Sequence, residues 1–170
     1  MGFTPLEGAV MGTRVGAIDA GAVLYLAQKL ETNPDELKTY FNSRCGLLGV
    51  SGISNDVRVL LKREEAGDAD AALALELFVY QIKKHIGAYA AALNGVDLLV
   101  FSATIGERSH IMRGRICREM ESLGIAIDGE KNLVTASADA LINAASSAAQ
   151  IAVIATDELG EIARETAALL

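Results

Sequence analysis

The stretch from residue 68 to residue 102 limits the architecture of this chain more than any other. Over 68–93, Ala71, Leu75, Phe78, Val79, Ile82, Ile86, Tyr89, Ala90 and Leu93 recur at helical spacing, so they line one face of a long amphipathic helix. Asn94-Gly95 ends it; both residue types tolerate the left-handed backbone common just past a helix. Residues 97–102, Asp-Leu-Leu-Val-Phe-Ser, follow as a short, continuously apolar run. Such a run suits a parallel strand buried on both faces.

The C-terminal half repeats this alternation. Residues 103–108, Ala-Thr-Ile-Gly-Glu-Arg, read as a loop, followed by a helix over about 109–123 with Met112, Ile116, Met120 and Leu123 on one face. Residues 125–127 suit a short strand, and 137–150, rich in Ala, Ser and Asn without a clear period, read as a loop or weak helix. A second apolar strand is expected over 151–155, then a helix carrying Leu159, Ile162 and Ala163. Strands alternating with helices favour an α/β fold with a parallel sheet.

Helix dominates the N-terminal half. Residues 1–19 are Gly-rich and extended, and 19–30 carry Val23, Leu26, Ala27 and Leu30 on one face. Asn33-Pro34-Asp35-Glu36 supplies an N-cap, a proline at the first helical position and a glutamate at the third, which predicts a helix start with Leu37, Tyr40 and Phe41 inward. The segment 45–54 is apolar and Gly-punctuated, and Asn55 or Asp56 could open a short helix through Leu61.

At 170 residues the chain is expected to form a single domain. The net charge of -7 argues against nucleic acid as a partner, because neutralising phosphates needs clustered Lys and Arg; a few local arginines still allow a small anion. Cys45 and Cys117 lie far apart with no metal-ligand spacing, as in a reduced, cytoplasmic protein. No run is long and apolar enough to span a membrane, and no export signal opens the chain. The turn-like start at Met1, with no leading strand or helix, points to a chain cut from something longer.

Four stretches carry residue types suited to chemistry. Loop 103–108 follows a strand, where open parallel sheets collect ligands; Gly106 either lets a nucleotide approach or merely permits a tight turn. Thr156-Asp157-Glu158 follows the second strand, where a carboxylate could hold Mg²⁺ or simply cap a helix. Arg14 in Met11-Gly-Thr-Arg-Val-Gly16 has the planar fork that suits phosphate or carboxylate, and the flanking glycines would admit a ligand to the backbone. Asp56 and Arg58, in Ser51-Gly-Ile-Ser-Asn-Asp-Val-Arg58, are placed to contact a ligand or each other. His85 reads as a surface residue, and His110 has no partner at catalytic spacing.

In order along the chain, five segments resemble the acetate kinase family: 1–19 with Met11-Gly-Thr-Arg14 and Ile18-Asp19; Cys45 through Arg58; Ile86-Gly-Ala-Tyr89; Val100 through Glu107; and Thr156-Asp-Glu158 with Ile162-Ala-Arg-Glu-Thr166. The resemblance covers essentially the whole chain. It implies an actin-like ATPase (ribonuclease H-like) C-terminal domain with parallel strands and flanking helices, lacking its first strands. The implied activity is in-line phosphoryl transfer from ATP to acetate, giving acetyl phosphate and ADP with Mg²⁺, in a homodimer. Arg14 matches the catalytic arginine that binds the carboxylate and steadies the transferring phosphoryl group. Asp56, Val57 and Arg58 match an adenine-side segment, Thr104, Ile105, Gly106, Glu107 and Arg108 the loop closing on the nucleotide, and Glu158 the metal-binding glutamate.

The sequence departs from the family pattern in several places. Thr104 stands where a glycine is usual, Arg108 where asparagine is usual, and Ala155 where proline is usual; Gly160 in the last helix weakens it by about 1 kcal/mol relative to alanine. The resemblance places a second arginine, a catalytic aspartate, a transition-state histidine and a phosphate-handling asparagine in an N-terminal segment outside this sequence. Weak or absent kinase turnover is therefore expected of the chain alone. Propionate or butyrate kinase is the alternative within the family, and a non-catalytic nucleotide-binding or dimerisation module the alternative outside it.

Overall fold

The structure, a computed structural model, describes residues 2–169. Met1, which opens the first motif segment, lies outside the described residues. The chain forms two compact units, one ending at Ile86 and the other beginning at Gly87.

In the first unit, α1 spans Ala20–Lys29 and begins where Asp19 accepts a hydrogen bond from the Ala22 N–H. The start of α2 (Pro34–Ser43) follows its local chemistry. Asn33 Oδ1 accepts from the N–H groups of Asp35 and Glu36, and the Glu36 carboxylate accepts from the Asn33 N–H; together they satisfy donors that no helical turn reaches. Leu37 and Phe41 are buried, whereas Tyr40 is exposed and meets Phe41 edge-on. The buried stripe of α2 is thus narrower than predicted.

The Gly-punctuated stretch contains a helix, α3 (Gly46–Ser51), that its composition did not announce. α4 (Val57–Glu65) is capped by Asp56 and runs about one turn past the predicted end at Leu61. α5 spans Ala69–Leu93 as the periodicity predicts. Ala71, Ala74, Leu75 and Phe78 are buried, but Tyr89 and Leu93 are exposed, so the predicted face is a core face only along its N-terminal half.

The second unit is built on a sheet ordered β1 (Leu98–Phe101), β3 (Gln150–Val153), β2 (Ala140–Leu141). β1 and β3 pair in parallel, with Leu99 opposite Ile151, and β2 pairs antiparallel to β3. The expected parallel pair is present in a mixed sheet. Central β3 buries Ile151, Ala152 and Val153. β1 lies at the edge and departs from prediction: Leu98 and Val100, which share a face, are exposed and Phe101 is buried. One covered face accommodates an apolar run as readily as two.

Helical elements also depart from the sequence reading. The 103–108 loop is a helix, α6 (Ala103–Arg108), and α7 covers only His110–Cys117. After Cys117, Arg118 is extended and Glu119 left-handed (φ 59°), and the chain re-forms as a 3-10 turn, Glu121–Leu123. Met112, Ile116 and Met120 are nevertheless all buried; helical spacing identified the apolar face without revealing the break. α8 (Gly129–Val134), capped by Asp128, was not foreseen, and the predicted strand 125–127 reduces to one antiparallel bridge, Ile127 to Asn143. The stretch read as loop or weak helix, 137–150, contains β2. α9 (Glu158–Ala167) follows β3 as expected, with Leu159 and Ile162 exposed.

Candidate functional site

Because β1 and β3 are adjacent and parallel, their carboxyl ends open on one edge of the sheet, where parallel sheets present ligand-binding segments. Both stretches singled out there emerge side by side: α6 directly after β1, and Thr156-Asp157-Glu158 just after β3. Successive amides leaving β3 are each held. The Ile154 N–H donates to Phe101 O at 2.9 Å and the Ala155 N–H to Asp139 Oδ1 at 2.9 Å. The Thr156 N–H and hydroxyl both donate to Glu107 Oε1, at 3.0 and 2.7 Å. These two bonds, the hydroxyl's foremost, hold the Glu107 carboxyl below its usual pKa. Asp157 caps α9 by accepting from the Gly160 N–H, and Glu158 is exposed at the first helical position.

This geometry revises several expected roles. Glu107, matched to a nucleotide-contacting loop, is buried and turned toward Thr156. Gly106 makes no tight turn: it is helical, and a Cβ there would lie 3.3 Å from the backbone carbonyl carbon of Phe101, so glycine lets α6 sit against the end of β1. Thr104 is helical and exposed, and the left-handed residue is its neighbour Ala103 (φ 57°). The threonine in place of glycine therefore demands no left-handed backbone. Ile105 is half-buried, and Arg108 is exposed with its Nε donating to Ser137 Oγ at 3.2 Å.

The last turn of α6 is anchored by a residue that sequence reasoning missed. Arg113 on α7 is fully buried and donates all five guanidinium N–H groups: to Asn132 Oδ1, to the carbonyls of Gly106 and Glu107, and to those of Asn132 and Thr135, at 2.7–2.8 Å. These bonds join the C-terminal ends of α6 and α8, where helix dipoles favour a cation. Desolvation by burial lowers the Arg113 pKa, yet a guanidinium stays charged at any ordinary pH. Asn132 completes the joint by donating from Nδ2 to His110 O at 2.9 Å.

In the first unit, Arg14 is exposed on a loop whose backbone is engaged elsewhere. The N–H groups of Cys45, Leu47 and Leu48 donate to the carbonyls of Thr13, Met11 and Gly12, and the Val15 N–H donates to Phe41 O. Loop carbonyls thus take the place of a side-chain cap on α3, which has none. Gly46 makes this possible: its φ is +65°, and a Cβ would fall 2.1 Å from Met11 O. Close packing here is loop against helix. The Arg14 side chain is left on the surface.

Asp56 and Arg58 contact each other. Arg58 Nη2 lies 2.6 Å from Asp56 Oδ2 and Nε 3.0 Å from Oδ1, while Asp56 also accepts from the Arg58 N–H as the α4 N-cap. The Arg58 side-chain bond, followed by the backbone bond, pulls Asp56 down to about 2. Val57 is a core residue at 5% exposure, with its side chain packed inward.

Among the described residues no group of three or more His, Cys, Asp and Glu could hold a metal. A lone exposed carboxylate at Glu158 still fits Mg²⁺ that arrives on a nucleotide, since this ion is usually held by one or two carboxylates plus phosphates and water. A surface groove lined by Leu30, Thr32, Asp35, Glu36, Tyr40 and Arg44 contains none of the predicted site residues. Cys45 and Cys117 form no disulfide, and no helix among the described residues is long and apolar enough to cross a membrane.

A family model described as the acetokinase family matches residues 1–164. An acetate kinase from Phocaeicola vulgatus is 47% identical over 170 residues, all of this chain and 42% of that protein. The crystal structure of Porphyromonas gingivalis acetate kinase superposes with a TM-score of 0.92 at 37% identity, covering 99% of this chain and 42% of the other. A propionate kinase from Francisella tularensis gives 0.87 at 38% identity, covering 97% and 42%. The chain spans less than half the length of these relatives.

Proposed function

Because the chain belongs to the acetokinase family and has the actin-like fold of acetate kinases, we propose that residues 1–170 act as the C-terminal, nucleotide-handling domain of an ATP-dependent acetate kinase. One observation carries this reading: α6 and the Thr156–Glu158 turn emerge from the same carboxyl edge of two paired parallel strands and are joined there by Glu107. Phosphoryl transfer requires positioning and electrostatics above all, and rigid segments side by side at one edge supply positioning.

In this reading Thr104, Ile105 and Arg108 border the nucleotide, and the Asp56–Arg58 pair serves the adenine side. Glu158 would hold Mg²⁺, whose charge offsets that of the phosphates. Arg14 would bind the acetate carboxylate and stabilise charge on the transferring phosphoryl group. ATP/ADP and acetate/acetyl phosphate are the small-molecule partners, and the setting is cytoplasmic. A homodimer belongs to the same proposal; Leu73 and Tyr80 are exposed seven residues apart on one face of α5, and sedimentation equilibrium tests it.

Titration calorimetry with MgADP tests the nucleotide reading directly. Saturable binding that weakens in Arg58→Ala is expected; no heat from either ADP or MgADP overturns it. The likeness to a propionate kinase favours a longer carboxylate as the second reading, which a comparison of acetate and propionate as acceptors separates.

A further inference from the structure

We infer that Glu107 is a positioning residue that couples nucleotide and metal binding, instead of contacting the nucleotide itself. The inference deepens the proposed function and rests on it. Glu107 sits in α6, and its carboxylate is turned away from solvent, with one oxygen accepting both the N–H and the hydroxyl of Thr156. Thr156 lies two residues before Glu158, and the residue between them is committed to capping α9. Glu107 therefore joins the segment assigned to the nucleotide to the turn bearing the carboxylate assigned to the metal. Asp139 holds the preceding amide, Ala155, so the turn leaves β3 along a path fixed by two carboxylates.

Arg113 anchors this same last turn of α6, donating to the carbonyls of Gly106 and of Glu107 itself. The backbone that bears Glu107 is thus held, and its carboxylate is a side-chain link by which α6 and the Thr156 turn take their places relative to each other. A nucleotide that settles on α6 sets the place of Glu158, and a metal held by Glu158 tightens α6. Such reciprocity is a coupling free energy between two ligands.

The test uses the 170-residue chain. Calorimetry measures its affinity for ADP in EDTA and for MgADP, and the ratio of the two affinities is the readout. Glu107→Ala and Thr156→Val should lower the wild-type ratio by about fivefold or more while affinity for metal-free ADP holds. Glu107→Gln, which keeps an acceptor oxygen without the charge, and Thr156→Ser, which keeps both donors, should restore it. A residue serving stability alone would weaken both ligands equally and leave the ratio in place. Independently of ligand, amide hydrogen exchange at Thr156 should accelerate in Glu107→Ala. An unchanged ratio in both disruptive variants, failure of Glu107→Gln to restore it, or unchanged exchange at Thr156 overturns the inference while the nucleotide reading stands. A wild-type chain that binds neither form of ADP overturns both.

Discussion

Replacing Arg113 by methionine keeps the bulk of a long side chain and removes every donor. Five hydrogen bonds disappear at once. Glu107 O retains the Ser137 N–H as a partner at 3.3 Å, whereas Gly106 O, Asn132 O, Thr135 O and Asn132 Oδ1 lose the arginine donor. At about 1 kcal/mol net per bond the loss would be about 5 kcal/mol, and disruption of a buried charged network typically costs about 3–5 kcal/mol. Apolar packing by methionine offsets a part, so about 4 kcal/mol is expected. With a urea slope of about 2 kcal/mol/M, the unfolding midpoint of the second unit should fall by about 2 M. Arg113→Lys, with three donors and a compact charge, should lose about half as much. Urea titration followed by amide exchange at Asn132 and Thr135 assigns the loss to this unit. A midpoint shift below about 0.3 M for Arg113→Met, with the slope unchanged, would refute the reasoning, because it would mean that water serves those carbonyls as well as the guanidinium does.

Gly46→Ala should destabilise the first unit by about 3 kcal/mol, roughly 1 from the left-handed backbone and 2 from forcing Met11 O away; a drop of about 15 °C in its thermal midpoint checks this. Asp56 is depressed to about 2 by Arg58, so its contribution to stability is complete above its unfolded-state pKa and is lost as pH falls through about 2. In Arg58→Ala a carboxyl NMR titration should find Asp56 moved up toward the ordinary aspartate range; a value still near 2 would show that backbone N–H groups alone hold it down. Asp139→Ala should speed amide exchange at Ala155, whose N–H it accepts, and leave exchange within β1 unaltered.

What could be read from the sequence divides by the range of the interactions concerned. The start of α2 was legible because Asn33, Pro34 and Glu36 satisfy one another within four residues, and the extent of α5 because its periodicity runs unbroken to Asn94-Gly95. The pairing of two apolar runs into β1 and β3 was anticipated, and so was the position of the candidate segments after each. The exposure of Leu98 and Val100 was not, since an apolar run does not report how many layers cover it. Glu107 was grouped with its neighbours on the nucleotide side because its true partner, Thr156, is 49 residues away. Arg113 left no local trace: its partners lie six and seven residues before it and 19 and 22 after. An arginine placed among Met112, Ile116 and Cys117 on a short helix was the one available sign that a cation was being carried inward.

The joint around Arg113 also sets how this protein should respond to ionic strength and acid. Its acceptors are neutral carbonyls and an amide oxygen, with no carboxylate among them. Salt screens exposed ion pairs such as Arg58 with Asp56 or Arg164 with Glu161, but it has little to screen between a buried cation and peptide dipoles at contact distance. Acid, likewise, finds no group there to protonate. As salt rises or pH falls, the surface pairs should loosen first while the ends of α6 and α8 remain together. That joint therefore gives the segment assigned to the nucleotide an anchor whose strength does not follow the composition of the surrounding solution.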